Sequence, residues 1–215
     1  MSKRPLVLIC VCGGSGSGKT TVTKEIEKIF PKNIKLLHLC LDRFYNSSLN
    51  NVKVNELHDN INFDHPKSFD WVLINKVINN LINRKSAKVP YYDYEKSKRL
   101  NKYEIFKDYD VIIFEGILTL YSSEINKKAN IKIFVDTPSD ERFIRRLLRD
   151  TNERGRKTND IIQQWREIVR PMYNLFVSPQ KANADIVIPW YKFNSVAIRA
   201  LNASIRELLK PYKNN

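Results

Sequence analysis

Residues 13–20 are the part of the sequence whose residue types and spacing point most directly to chemistry. Their sequence, GGSGSGKT, fits the pattern G-x-x-x-x-G-K-[ST] and lies between an apolar run typical of a strand and a segment typical of a helix. Glycines there let successive backbone amides point at phosphate oxygens, and the helix N-terminus adds partial positive charge. We therefore expect nucleotide phosphates to be bound by Gly13, Gly14, Ser15, Gly16, Ser17, Gly18, Lys19, Thr20 and Thr21.

Lys19 and Thr20 have separate expected roles in this loop. Lys19 is expected to bridge the β- and γ-phosphates of a nucleoside triphosphate, and the Thr20 hydroxyl is expected to bind Mg²⁺. The alternative is a purely structural glycine-rich turn, which requires neither the lysine nor the hydroxyl. The complete pattern therefore favours a phosphate-binding loop.

Two acidic residues follow apolar runs further along the chain. Glu115 follows residues 111–114 and Asp42 follows residues 35–41, and open α/β sheets bind ligands beyond the carboxyl ends of their strands. Glu115 is a candidate to hold a magnesium-bound water. Asp42 is a candidate to accept the proton of an attacking hydroxyl. Both could instead serve local turns, as acids at strand ends often do.

Arginines are concentrated between residues 142 and 156. The six are Arg142, Arg145, Arg146, Arg149, Arg154 and Arg156, with Gly155 available as a hinge. Arginine forms bidentate contacts with phosphate and stabilises the charge of a phosphoryl-transfer transition state. We predict an arginine-rich lid over about residues 142–160, with a solvated helix face as the alternative.

The elements that position these residues alternate between strands and helices. Apolar runs predict strands at 7–12, 35–41, 111–114, 131–135 and 186–188, and helical patterns occur at 20–30, 70–85, 138–150 and 195–209. We expect the 138–150 helix to be capped by Thr137. Residues 46–66 and 86–103 are polar and predicted to be irregular. This alternation predicts an α/β fold of the P-loop NTPase type, a parallel sheet with helices on both faces.

Length and composition limit the class of protein. The 215 residues predict one domain, 1–215, with a substrate-side insertion at about 46–103. The net charge is +14, but the lysines are scattered, so we expect no nucleic-acid partner. The apolar runs are shorter than the roughly 20 residues of a membrane helix, so we expect no membrane span. Cys10, Cys12 and Cys40 have no metal-like spacing and predict a reducing, cytoplasmic location.

Several longer strings resemble the uridine kinase family of P-loop nucleoside kinases, and the resemblance covers nearly the whole chain. Besides the phosphate loop, they are Asp42-Arg43-Phe44-Tyr45, Asn62-Phe63-Asp64-His65-Pro66, Pro90-Tyr91-Tyr92-Asp93-Tyr94, Phe114-Glu115-Gly116-Ile117-Leu118 and Arg145-Arg146-Leu147-Leu148-Arg149-Asp150 with Glu153-Arg154-Gly155-Arg156. The second and fourth strings are particularly specific to that family.

The resemblance implies transfer of phosphate from ATP or GTP, with Mg²⁺, to the 5′-hydroxyl of uridine or cytidine in pyrimidine salvage. It implies that Asp42 is the general base, that Asp64 binds the ribose hydroxyls, and that Tyr45 and Tyr92 contact the nucleoside. Further implied substrate contacts are Arg146, Arg156 and Gln164, with Arg149 and Arg154 as lid arginines, and the implied assembly is a homotetramer. Related P-loop kinases with another hydroxyl acceptor, phosphoribulokinase-like or pantothenate kinase-like, are the alternative.

Two positions depart from the pattern of that family. Ser97 stands where the family usually has a histidine that reads the pyrimidine, five residues after Tyr92. Near the C-terminus, residues 189–194 replace a glycine and an Asp-Asn pair that surround the adenine of the nucleotide. These departures leave the base preference and the choice between ATP and GTP open.

The first prediction concerns Lys19. Replacing Lys19 with alanine should reduce turnover by about 10²-fold or more, because no charge then stabilises the transferring phosphoryl group. The fold should be unchanged by circular dichroism. Near-normal turnover of folded Lys19→Ala protein would remove the phosphate-loop assignment.

Overall fold

A five-stranded parallel sheet forms the centre of the protein, described here from a computed structural model that covers residues 6–47, 62–93 and 98–209. Its strands are β1 (Val7–Gly13), β2 (Leu36–Cys40), β5 (Val111–Gly116), β6 (Ile131–Asp136) and β7 (Ile186–Pro189), in the order β2-β5-β1-β6-β7. Strands β3 (Ala87–Asp93) and β4 (Lys98–Phe106) pair antiparallel in a separate two-stranded sheet.

Helices connect the strands of the main sheet. They are α1 (Lys19–Glu27), α2 (Trp71–Ile82), α3 (Ser123–Lys128), α4 (Ser139–Asn152), α5 (Thr158–Gln164) and α6 (Ser195–Leu208). Helix α5 continues through π-helical turns at Trp165–Val169 and Tyr173–Val177 into a 3₁₀ turn at Ser178–Asn183. Two further 3₁₀ turns lie at Leu41–Phe44 and Pro66–Ser68.

The side chains of β1 alternate between two apolar layers, because successive residues of a strand point to opposite faces. Val7, Ile9 and Val11 pack in one layer with buried residues of α1 and α6. Leu8 and Cys10 pack in the other layer with the apolar stripe of α2. The predicted parallel sheet with helices on both faces is therefore confirmed.

The strand register places the ends of three strands side by side. Cys40 of β2 lies opposite Glu115 of β5, and Glu115 lies opposite Val11 of β1. Asp42 follows β2 by two residues, and the glycine-rich loop follows β1 directly. Parallel pairing thus brings the phosphate loop, Asp42 and Glu115 to one edge of the sheet.

The five predicted strands and four predicted helices are all present, and their ends differ from the predicted ones by at most three residues. The prediction that residues 86–103 are irregular was wrong, because β3 and β4 occupy most of this segment. The alternation of apolar and polar residues that would mark these strands is interrupted by lysines and by tyrosines such as Tyr91 and Tyr103, whose side chains are exposed. Of the other segment predicted to be irregular, residues 48–61 lie outside the described residues.

Thr137 does not cap helix α4, contrary to the sequence prediction. The N-cap position is Pro138, which makes no side-chain capping bond. The Thr137 hydroxyl lies instead between two loops, 2.9 Å from the Ser17 carbonyl oxygen and 3.2 Å from that of Trp190. Thr137 therefore ties the phosphate loop to the loop that follows β7.

Gln180 forms a second set of hydrogen bonds between segments that are far apart in sequence. Its amide nitrogen donates to the carbonyls of Ile117 and Phe176 at 3.0 and 2.8 Å, and its amide oxygen accepts from the Leu120 backbone at 3.0 Å. Gln180 is buried, so these bonds satisfy groups that would otherwise be costly to remove from water. They hold the segment after β5 against the helical segment that follows α5.

Gly16 and Gly155 provide a matched test of how closely the phosphate loop packs. Both glycines have a left-handed backbone conformation, with φ of 75° at Gly16 and 62° at Gly155. A methyl group at Gly16 would overlap the backbone oxygen of Arg142, whereas at Gly155 nothing lies within 4 Å. Gly16→Ala should therefore lower the free energy of unfolding by at least about 1 kcal/mol more than Gly155→Ala. Both substitutions place an alanine in the left-handed conformation, which costs free energy, but only the alanine at position 16 also overlaps another atom.

Urea denaturation of both variants measures this difference. Equal losses of stability would show that the loop is not held against helix α4.

Candidate active site

The predicted site residues meet in one cleft of about 900 Å³ at the carboxyl edge of the sheet. The cleft lies between the phosphate loop, the turn after β2, strand β3, and the segment from α4 to α5. Its lining includes Ser15, Lys19, Thr20, Asp42, Tyr45, Asp64, Tyr92, Glu115, Arg146, Arg149, Arg154, Arg156 and Gln164. These are all the residues predicted to act in catalysis, substrate binding or metal binding.

The phosphate loop has the conformation that its glycines predict. Gly18 is left-handed, with φ of 86°, and forms the N-cap of α1. The first amides of a helix have no partner within the helix, so α1 presents donors and partial positive charge to the cleft. The Lys19 ammonium group donates to the Gly14 carbonyl oxygen at 3.0 Å. Gly13, Gly14, Gly16, Ser17 and Thr21 supply the backbone of the loop and the first turn of α1.

Arg142 lies beneath this loop and was not singled out from the other arginines by sequence. It is only 2 % exposed, and its guanidinium carbon lies 3.6 Å from the centre of the Tyr173 ring. A methyl group on Gly14 would come within 2.8 Å of both Arg142 Nη1 and Tyr173. Gly14 therefore allows the loop to rest directly on a buried cation.

Thr20 and Glu115 form the candidate metal site. The Thr20 hydroxyl donates to Glu115 Oε1 at 3.0 Å, and His38 Nε2 lies 3.0 Å from Glu115 Oε2. Burial would raise the pKa of Glu115, but the His38 hydrogen bond and the charge of Lys19 hold the pKa of this carboxyl below its usual value. An ionised carboxylate and a hydroxyl suit Mg²⁺, which takes few protein oxygens and completes its shell with phosphates and water.

No cluster of three or more His, Cys, Asp or Glu side chains that could hold a metal occurs within residues 6–47, 62–93 and 98–209. A dedicated all-protein metal cage is therefore absent from this part of the chain. His38 itself was missed by the sequence analysis. Its other ring nitrogen lies 3.1 Å from Glu27 Oε1, so it joins Glu115 to helix α1.

Asp42 and Asp64 line the cleft, Asp42 from the 3₁₀ turn after β2 and Asp64 from the segment just before the Pro66–Ser68 turn. Burial raises the pKa of Asp42 to about 6; the charges of Lys19 and Arg154 oppose the rise, and the carboxylate of Glu115 adds to it. Burial likewise raises the pKa of Asp64, against the charge of Arg146. A carboxylate with a pKa near neutrality is suited to accept a proton from a hydroxyl.

Aromatic rings form the wall beside these two acids. Tyr45 stacks on Phe69 with ring centres 4.5 Å apart, and it contacts the rings of Phe63 and Tyr92 at 5.1 and 5.3 Å. Tyr45 and Tyr92 were predicted to contact substrate, whereas the packing role of Phe69 was not predicted. Flat apolar surfaces of this kind are suited to a planar base.

Arg43 joins the aromatic wall to the turn that carries Asp42. Its guanidinium group donates to the Pro90 carbonyl at 2.8 Å and to Glu104 at 3.0 Å, and it lies over the rings of Tyr91 and Phe106. Arg43 thereby holds strands β3 and β4 in place. Only its position next to Asp42 could have drawn attention to it in the sequence.

The arginines of α4 and the following turn surround the phosphate side of the cleft. Arg146 donates to the Ser15 hydroxyl at 2.9 Å and to the Gln164 amide oxygen at 2.7 Å, and Arg156 donates to the same amide oxygen at 2.9 Å. Arg142 and Arg146 are buried in the body of a regular helix. Movement of residues 142–160 as a lid stays a prediction.

The two departures from the family pattern differ in what the structure describes. Ser97 lies outside the described residues. Trp190 is buried and packs against Gly18 and Phe193, whereas Tyr191 and Phe193 are 57 % and 58 % exposed. Trp190 is therefore a packing residue of the phosphate loop, and Tyr191 and Phe193 are accessible to a ligand.

Over the described ranges, no helix is long and apolar enough to cross a lipid bilayer. Cys10, Cys12 and Cys40 form no disulfide; Cys10 and Cys12 are buried, and Cys40 is partly buried at the cleft.

Comparison with known proteins gives full-length relatives. Residues 8–197 match the model of the phosphoribulokinase/uridine kinase family. The chain is 43% identical over 210 residues to the uridine kinase of Ureaplasma urealyticum serovar 10, covering 97% of this chain and 100% of the relative. It is 40% identical over 202 residues to the uridine kinase of Mycoplasma genitalium, covering 94% and 93% of the two chains.

Solved structures with low sequence identity share the fold. The YGR205w protein is similar with a TM-score of 0.59 at 17% identity, covering 86% of this chain and 84% of that chain. The D-glycerate 3-kinase of Cryptococcus neoformans is similar with a TM-score of 0.57 at 18% identity, and the match covers 80% of this chain and 79% of that kinase. At these identities the likeness concerns the arrangement of strands and helices alone.

The raised pKa of Asp42 predicts how activity depends on pH. Asp42 binds its proton more tightly in the folded protein, where its pKa is about 6, than in an unfolded chain. As the pH falls below about 6, the Asp42 carboxylate becomes protonated and can no longer accept a proton. The value of kcat/KM should therefore fall by about tenfold per pH unit below the pKa of Asp42. Asp42 should correspondingly contribute less to stability as the pH rises from about 4 towards its folded pKa.

Steady-state kinetics from pH 5 to 8 test this prediction. Asp42→Asn should lower turnover by about 10²-fold or more, because the amide cannot accept a proton. It should also remove the fall of kcat/KM at low pH. A kcat/KM of the unsubstituted protein that stays constant down to pH 5 would contradict the assignment of Asp42.

Proposed function

The chain belongs to the phosphoribulokinase/uridine kinase family, and on this premise we propose that it is a nucleoside kinase that transfers the γ-phosphate of ATP to the 5′-hydroxyl of uridine and cytidine. The products are UMP or CMP and ADP. One observation carries the proposal: a carboxyl with a raised pKa, a second carboxyl and an aromatic wall face a phosphate loop and four arginines across a single cleft.

The proposed reaction is an in-line displacement at the γ-phosphorus. The 5′-oxygen of the nucleoside forms a bond to phosphorus while the bond from phosphorus to the β–γ bridging oxygen breaks. The proton of the 5′-hydroxyl passes to the Asp42 carboxylate, and ADP leaves with the electrons of the broken bond. The burial that raises the pKa of Asp42 supports this assignment, because it increases the basicity of the carboxylate.

Cations on the other side of the cleft would stabilise the charge of the transferring group. Lys19 lies within the phosphate loop, and Arg149 and Arg154 line the cleft beside it. Their donors cost no reorganisation at the moment of transfer if they are already placed. We assign Lys19, Arg149 and Arg154 to transition-state stabilisation, and Arg146, Arg156 and Gln164 to substrate binding.

The nucleoside would lie against the aromatic wall. We assign the base to the surface formed by Tyr45, Phe63 and Tyr92, and the ribose hydroxyls to Asp64. An ionised carboxylate accepts two hydrogen bonds from vicinal hydroxyls, which supports this role for Asp64. Mg²⁺ would be held by Thr20 and Glu115, and it would supply positive charge that neutralises the phosphates. GTP is proposed as a second donor.

The remaining expectations form part of the same proposal. We propose that residues 1–215 act as one domain, that the protein works in the cytoplasm, and that it assembles as a homotetramer, as the family resemblance implies. The three cysteines form no disulfide, which supports a reducing compartment.

A panel of acceptors tests the proposed function. Uridine, cytidine, adenosine, ribulose 5-phosphate and pantothenate are each incubated with ATP or GTP, and phosphorylated products are identified by mass spectrometry. Uridine and cytidine should be phosphorylated with a kcat/KM at least about 10²-fold above that of ribulose 5-phosphate and pantothenate, because Asp64 and the aromatic wall fit a nucleoside.

Asp64→Asn is the matched variant in this assay. It should raise the KM for uridine while the KM for ATP changes little, because only the ribose contact is weakened. Phosphorylation of one of the non-nucleoside acceptors without turnover of uridine would overturn the proposal.

A further inference from the structure

A fully buried carboxylate lies at the centre of the arginine cluster. Asp150 is 0 % exposed, and its Oδ1 atom lies 2.8 Å from Arg149 Nη2 and 3.4 Å from Arg154 Nη1. Its Oδ2 atom lies 3.5 Å from both Arg146 Nε and Arg156 Nη1. Each carboxylate oxygen of Asp150 therefore pairs with two of the four arginines that line the cleft.

Backbone contacts place Asp150 where helix α4 ends. The Arg156 amide donates to the Asp150 carbonyl oxygen at 3.0 Å, so the chain folds back over the last turn of the helix. Gly155, with a left-handed φ of 62°, makes this reversal possible. The side chain of Asp150 thus joins arginines from the body of α4 with arginines from the turn after it.

The cluster has far more donors than acceptors. Four guanidinium groups carry about twenty N–H donors, whereas one carboxylate offers about four lone-pair sites. Gln164 adds one amide oxygen shared by Arg146 and Arg156, and the Ser15 hydroxyl accepts one further bond from Arg146. Most of the donors are left for a ligand rich in anionic oxygens.

Asp150 is charged in the folded protein although it is buried. Burial would raise the pKa of Asp150, but the charges of Arg149 and Arg146 hold it below its usual value. Arginines gathered in one place repel one another, and a buried anion between them lowers that repulsion. The carboxylate therefore stabilises an arrangement that four cations alone would oppose.

We propose that Asp150 is a positioning residue, whose buried carboxylate holds Arg146, Arg149, Arg154 and Arg156 in the geometry that binds a polyphosphate before any nucleotide arrives. This inference rests on the proposed function of the cleft, but it concerns the phosphate side alone and does not depend on the identity of the acceptor. Asp150 acts through the arginines, because its complete burial keeps it from touching the nucleotide.

The variant Asp150→Asn separates positioning from simple electrostatics. The substitution keeps the shape of the side chain and makes the cleft more positive by one charge. If Asp150 only neutralised charge, inorganic tripolyphosphate would bind more tightly to the variant. If Asp150 positions the arginines, tripolyphosphate binds about tenfold more weakly or worse, which corresponds to a loss of about 1.4 kcal/mol of binding free energy.

Isothermal titration calorimetry with tripolyphosphate, in the absence of acceptor, measures this affinity. Asp185→Asn is the matched control, because it removes a carboxylate paired with Lys132 at 2.9 Å, outside the cleft, and should leave the affinity unchanged. Equal or tighter binding by folded Asp150→Asn protein overturns the proposal. The acceptor panel tests the proposed function separately, so the two failures are distinguishable.

A measurement on the unsubstituted protein covers the case in which Asp150→Asn does not fold. The Arg156 amide of the nucleotide-free protein should exchange its hydrogen more slowly than an unstructured chain by at least about tenfold, because its bond to the Asp150 backbone carbonyl oxygen is already formed. Exchange of the Arg156 amide at the unstructured rate, followed by protection only with tripolyphosphate, would show that the turn carrying Arg154 and Arg156 forms only with the ligand, which overturns the proposal that the arginines are held in place before any nucleotide arrives.

Discussion

The close contact between the phosphate loop and helix α4 is the constraint on which the rest of the site depends. Gly14 lies against the side chain of Arg142, Gly16 against its backbone oxygen, and Gly18 against the ring of Trp190. A side chain at any of these three glycines would move the loop away from its supports. The loop thus acquires its shape from the elements around it as well as from its own flexibility, and Thr137 adds the hydrogen bond that joins these elements.

Charge is distributed across the cleft so that each side has the electrostatic properties its proposed role needs. On the acceptor side, burial raises the pKa of Asp42, which makes this carboxyl a better proton acceptor, whereas the charge of Arg146 opposes the effect of burial on the pKa of Asp64 and favours its ionised form. At the candidate metal site, His38 and Lys19 keep Glu115 ionised. Three carboxyl groups within one cleft therefore differ in basicity because their neighbours differ.

The sequence predicted the sheet, and it singled out residues that the structure brings together in one cleft, because both follow from short local patterns. Continuous apolar runs mark strands covered on both faces, and the glycine-lysine-threonine pattern locates the phosphate loop without reference to the rest of the fold. Long-range supports were not predicted, because nothing local marks Arg142, Gln180 or Arg43 as the partner of a distant backbone. Thr137 was wrongly predicted as a helix cap for the same reason, since its hydroxyl bonds two distant loops. Strands β3 and β4 were missed because their exposed faces interrupt the apolar alternation.

The supports of the phosphate loop also have a consequence for the order of synthesis. Residues 13–18 leave the ribosome early, but two of their contacts, Arg142 and Trp190, lie more than 120 residues later in the chain. Strand β1 likewise pairs with β5 and β6, which are made about a hundred residues later. Contacts between residues so far apart in sequence form slowly, because a long loop of chain must be closed first. A nascent chain that ends before Trp190 therefore carries the complete nucleotide-binding motif without the structure that gives the motif its shape.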